Sequence, residues 1–115
     1  MRPDLATMIE RVIALRAQAH ERARSADEFL LDEIEDVLTE GYAYALAGDA
    51  WSMRSEQRLH ELINDAQSPV RGRDVRSLAA EHGRLQREVV ALRRELAELR
   101  HERDRLRAGS HARSG

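Results

Sequence analysis

Residues 74–107 read DVRSLAAEHGRLQREVVALRRELAELRHERDRLR, with Leu78, Leu85, Leu92, Leu99 and Leu106 spaced seven apart. Taken as heptad position d, these leucines place Val75, His82, Val89, Leu96 and Arg103 at a. An apolar edge repeated over this many heptads, in a segment with neither Pro nor an aromatic residue, predicts one long helix that hides that edge against another helix. The flanks are sorted by charge. Every g position is acidic (Asp74, Glu81, Glu88, Glu95, Glu102), and e is basic in the last three heptads (Arg93, Arg100, Arg107). In a parallel homodimer Glu88 would meet Arg93, Glu95 would meet Arg100 and Glu102 would meet Arg107, and Val at a with Leu at d suits two strands. His82 and Arg103 weaken such a seam and discourage slipped registers.

Upstream, Leu5, Met8, Ile9, Val12, Ile13 and Leu15 recur at spacings of three and four, which predicts a first helix over about residues 4–23. Ser25 followed by Glu28 is a capping box, so a second helix is expected to start near Ala26 and run to about Asn64. The connection is short enough to make the two helices an antiparallel hairpin. Along the second helix one column reads Leu31, Leu38, Ala45, Ser52, Leu59 and the other Ile34, Gly41, Gly48, Ser55, Leu62. Large residues stand at both ends and small ones in the middle. Gly41 and Gly48 each cost about 1 kcal/mol relative to Ala inside a helix, so a close neighbour is expected there, unless the helix breaks at Gly48-Asp49. Folding residues 75–106 back on 31–62 supplies such a neighbour. Leu59 aligned with Leu78 sets Ser55 by His82, Gly48 by Val89, Ala45 by Leu92 and Gly41 by Leu96, with Asp49 near Arg93 and Glu35 near Arg100 or Arg107. A parallel homodimer and this intramolecular antiparallel pairing compete for the same face.

The expected architecture is therefore all-α. An N-terminal antiparallel helical hairpin spans residues 1–64, a Ser-Pro- and Gly-bearing linker 65–73, a leucine-zipper-type coiled-coil helix 74–107, and a disordered tail 108–115. A chain of 115 residues with 42% apolar, 35% charged and 3% aromatic residues cannot fill a wide β-sandwich or barrel core. Cysteine and lysine are absent, which removes thiol catalysis, Cys-based metal sites and Schiff-base chemistry. No run is apolar enough to span a membrane and no leader is apparent, so a cytoplasmic location is the expectation.

Charge is divided unevenly. Residues 1–66 hold 14 acidic and 7 basic groups, residues 67–115 hold 7 and 12. Within 26–49 no residue is basic, and Asp32, Glu33, Glu35, Asp36 and Glu40 form a candidate acidic surface for a partner with a basic face. The alternative is solvation and neutralisation by arginines of the same chain. Glu98-x-x-His101 has the spacing used in di-metal bundles, but it falls at c and f, away from the seam. The basic residues before the zipper, Arg71, Arg73 and Arg76, are interrupted by Gly72 and Asp74 and preceded by Pro69, so they lack the continuous cationic face of a DNA-reading helix. Tyr42, Tyr44 and Trp51 are expected to pack against the first helix. No nucleophile–base pair, phosphate loop or carboxylate dyad is present, so no catalytic, metal or cofactor residue is assigned. The pattern favours a non-enzymatic interaction or scaffold protein acting through its C-terminal coiled coil. The alternative is an accessory transcription regulator whose acidic head contacts a basic partner surface.

Overall fold

The computed structural model describes residues 2–21, 28–64 and 72–114. They form three helices, α1 (Leu5–Glu21), α2 (Glu28–Asn64) and α3 (Gly72–Ser114), and no strand among the described residues. Ser25 with its capping box and the Ser68-Pro69 breaker lie outside the described residues.

Asp4 sets the start of α1. The Thr7 backbone N–H donates to Asp4 Oδ1 at 3.1 Å and the Thr7 hydroxyl donates to Oδ2 at 2.7 Å. This satisfies one of the donors a helix N-terminus leaves open, and the Thr7 side-chain and backbone bonds hold the Asp4 carboxyl below its ordinary pKa. α2 is a single 37-residue helix that passes through Gly41 and Gly48 without a break. Both glycines stay helical because their faces are filled from outside. A Cβ on Gly41 would run into Leu96, and one on Gly48 would lie 2.6 Å from Val89 Cγ2 and 3.2 Å from Leu5 Cδ1.

These contacts fix the directions of the helices. Residue numbers fall along α3 as they rise along α2, from Glu35–Arg107 through Gly41–Leu96 to Gly48–Val89, so the two run antiparallel. α1 is antiparallel to α2, with Leu5 against Gly48 and Arg11 paired to Glu40 at 3.0 Å. It is parallel to α3, with Arg16 beside Glu95 and His20 beside Glu102. The result is a rod 71 × 18 × 18 Å across its principal axes.

The core follows from these directions. α1 contributes Leu5, Met8, Val12, Leu15 and Ala19; α2 contributes Leu30, Ile34, Val37, Leu38 and Ala45; α3 contributes Leu85, Val89, Leu92, Leu96, Leu99 and Leu106. No charged or polar residue is buried with them among the described residues. Each leucine so enclosed contributes about 2 kcal/mol by removing its side chain from water.

α3 does not stop at Arg107. It continues through residues 108–114, where the sequence reading places a disordered tail. Ala108, Ala112 and Arg113 are good helix formers, and Gly109 is the one unfavourable residue in that stretch, so nothing local forces the helix to end. α3 also begins at Gly72, inside the stretch read as linker. The described part of α1 runs to Glu21, and the expected end near Ala23 lies outside the described residues.

Candidate interaction surface

Helix lengths decide where the bundle is closed. At about 1.5 Å per residue, the 17 residues of α1 span roughly 25 Å, the 37 of α2 roughly 55 Å and the 43 of α3 roughly 64 Å. α1 begins level with Gly48 and Val89. Beyond that level, among the described residues, α2 after Trp51 and α3 before Leu85 face each other without α1, and Arg2 ahead of α1 reaches Glu81.

Burial along the α3 seam records this boundary. Leu85, Val89, Leu92, Leu96, Leu99 and Leu106 are no more than 4% exposed. Val75, Leu78 and His82 are half-buried, as are Ser55, Leu59 and Leu62 on α2. Arg103, at an a position, keeps its guanidinium near the surface, where Nη1 lies 3.2 Å from Glu35 Oε1 and Nη2 lies 3.1 Å from Asp104. Burial there lowers the Arg103 pKa, but the hydrogen bond that Arg103 donates to Asp104 and the charge of Glu35 outweigh it and raise the pKa. His82 Nδ1 is enclosed without a hydrogen-bond partner among the described residues.

The charges flanking the seam take partners from α1 and α2. Glu88 lies 3.8 Å from Arg2, which also bonds Glu81 at 3.1 Å. Glu95 Oε2 lies 3.0 Å from Arg16 Nη2. That contact is not aligned as a hydrogen bond, so Glu95 Oε2 and Arg16 Nε are both without one among the described residues. Glu102 bonds Arg105 and faces His20 at 3.7 Å. Arg93 grips Asp49 with both terminal nitrogens, at 3.2 and 2.5 Å, and this bond raises the Arg93 pKa. Arg107 reaches Glu35 at 2.8 Å, and Arg100 is exposed.

The acidic set divides in two. Glu35 and Glu40 are half-buried and neutralised by Arg103, Arg107 and Arg11, whereas Asp32, Glu33 and Asp36 are exposed. Phe29, one turn before them, is 87% exposed. Tyr42, Tyr44 and Trp51 pack against the edge of the core.

Where α1 is missing, an open groove of about 670 Å³ remains between α2 and α3. Its apolar floor is Trp51, Leu78 and Leu85, and its rim carries Arg2, Arg54 and Arg58 together with Glu61 and Glu81. The Arg54 guanidinium sits 5.2 Å from the centre of the Trp51 ring, a cation–π distance. The sequence reading did not single out this groove or its arginines. The available signal was the mismatch between a short first helix and two long ones, together with Arg54 and Arg58 one turn apart beside the only tryptophan.

Among the described residues no group of His, Asp and Glu is placed to hold a metal ion, and no helix is long and apolar enough to cross a membrane. Comparisons of the chain with protein-family models, with curated proteins and with solved structures find no match.

Proposed function

We propose that this protein is a non-enzymatic interaction module that receives a partner helix in the groove beyond the start of α1. The observation that carries this reading is the change in burial along one continuous seam. The a and d residues from Leu85 onward are closed off by α1 and α2, while Val75, Leu78 and His82 stand half-open beside Leu59 and Leu62. In these terms α1 and α2 form the helical hairpin head, and the first two heptads of α3 are the free part of its zipper.

The chemistry of the groove describes its occupant. An apolar floor calls for a helix with residues at i, i+3, i+4 and i+7 on one edge. Arg2 is already paired with Glu81 and Glu88, so Arg54 and Arg58 are the rim charges that favour acidic residues along the flank of that helix. Trp51, the only tryptophan, lies in the floor and reports occupancy directly. Titration with a synthetic amphipathic peptide bearing leucine at a and d and glutamate on its flanks should shift Trp51 emission. The shift should be lost in Arg54→Glu/Arg58→Glu. No change in emission, with Leu78 methyl resonances also unmoved, would overturn the reading.

A further inference from the structure

We propose that a second copy of this chain docks beside the groove, its α2 laid antiparallel on α2 of the first. The contact runs along the outer edge of α2, shares Arg54 and Arg58 with the groove rim, and goes beyond the groove reading. The key feature is a charge division along one edge of α2. Asp36 and Arg54 are eighteen residues apart, about five helical turns, so they project from the same edge; Glu40 and Arg58 repeat that spacing. The first half of this edge carries Phe29, Asp32, Glu33 and Asp36, all exposed, and the second half carries Arg54 and Arg58, followed by Glu61, also exposed. Between them lie Ala43, Ala47 and Ala50, whose small side chains let two helices approach closely.

An edge that is acidic at one end and basic at the other is complementary to itself when turned end for end, which a two-fold dimer does. With the dyad between Ala43 and Ala47, Asp36 of each copy meets Arg54 of the other, and Asp32 meets Arg58. Ala43 then faces Ala47 across the axis, and Leu46, 66% exposed in the single chain, flanks the dyad on the side where it meets Leu46 of the second copy. Phe29 arrives at the Glu61 end of the groove, so the most exposed apolar residue of one copy is carried to the mouth of the other's apolar cavity. A parallel arrangement would set acid against acid and arginine against arginine. The basic surface that the acidic head calls for is thus supplied by the same helix, without a different protein.

The test is solution mass, by sedimentation equilibrium, of the full chain at about 100 µM, where a micromolar contact is almost fully populated. The intact chain should run at twice its chain mass. Asp32→Arg/Asp36→Arg makes the edge basic throughout and Arg54→Glu/Arg58→Glu makes it acidic throughout. Each alone should weaken association by about a thousandfold, because like charges then meet across the axis, and so should run close to the single-chain mass. An equimolar mixture of the two variants should return to twice the mass, because each then meets its complement. Leu46→Asp, outside both charge clusters, should also give the single-chain mass while keeping its helix content by circular dichroism. A wild-type chain at single mass, a dimer indifferent to both reversals, or a mixture that stays monomeric would overturn the dimer. If a chain at single mass still answers the acidic peptide through Trp51, only the dimer is removed. If it does not, the groove reading falls with it.

Discussion

Gly48 and Val89 face each other where α1, α2 and α3 meet, so closely that a Cβ on Gly48 would lie 2.6 Å from Val89 Cγ2. Val89 cannot turn aside, because a β-branched residue in a helix is held to one χ1 rotamer, and it is only 4% exposed. Gly48→Ala removes the conformational cost of a helical glycine, a gain of about 1 kcal/mol, but overfills the core at a cost of about 1–3 kcal/mol. The expected outcome is a net loss in urea unfolding. Gly48→Ala/Val89→Ala should be more stable than the sum of the two single changes allows, and additivity would show that the two sites do not touch.

Glu35 serves two arginines at once, Arg103 at 3.2 Å and Arg107 at 2.8 Å. With the Glu35 carboxylate 37% exposed, the pairs are partly screened and together contribute about 1 kcal/mol. Glu35→Gln should lower the urea midpoint by a corresponding amount at low ionic strength, and the difference from wild type should shrink as salt is added. A difference that salt leaves untouched would place the loss in packing and not in charge.

Burial pushes the Glu102 carboxyl up, but hydrogen bonding and charge from Arg105, with a further contribution from His20, outweigh it and hold the pKa below its ordinary value. A carboxyl whose folded pKa lies below its unfolded value contributes stability in full above the unfolded pKa and loses it as pH falls through the folded one. Wild-type stability should therefore fall more steeply than that of Glu102→Gln as pH drops through and below the usual carboxylate range, so that the gap between them closes in acid. Chemical unfolding at a series of pH values reads this directly. Parallel curves would assign the Glu102 contacts no net weight.

The seam should be energetically uneven. Leu92 is fully enclosed and Leu78 half-open, though both are d residues of one heptad series. Leu92→Ala should cost about 3 kcal/mol through transfer and cavity terms, and Leu78→Ala about 1 kcal/mol. Amide exchange should show the same gradient, with α3 before Leu85 opening before the rest. Equal costs at the two positions would mean the groove end is closed.

That the described residues are almost wholly helical was legible in the periodicity and in the scarcity of Pro and aromatic residues. The small column of α2 marked a place of close approach, because helical glycines need a reason. Other features depend on what lies opposite, which a heptad does not state. The alternating Glu and Arg of g and e are a pattern any oppositely charged neighbour satisfies. Glu88 lies against Arg2, ahead of α1, and Glu95 against Arg16 of α1, residues at no heptad position of α3. The groove was hidden for a related reason, since it is defined by where α1 begins relative to the other two helices. The Asp4 cap depends on Thr7 three residues on, a local pairing that apolar periodicity passes over. The helix over 108–114 shows that a terminal position alone is a poor sign of disorder where a long helix leads into it.

The packing of Gly41 against Leu96 offers the most direct test of the three-helix arrangement. In a sample mixing isotopically labelled and unlabelled chains, a nuclear Overhauser cross-peak between the Gly41 Hα protons and the Leu96 δ-methyls should arise within labelled chains and vanish when only contacts between differently labelled chains are selected. A cross-peak found only between chains, or none in either experiment, would contradict a seam filled by the chain's own helices.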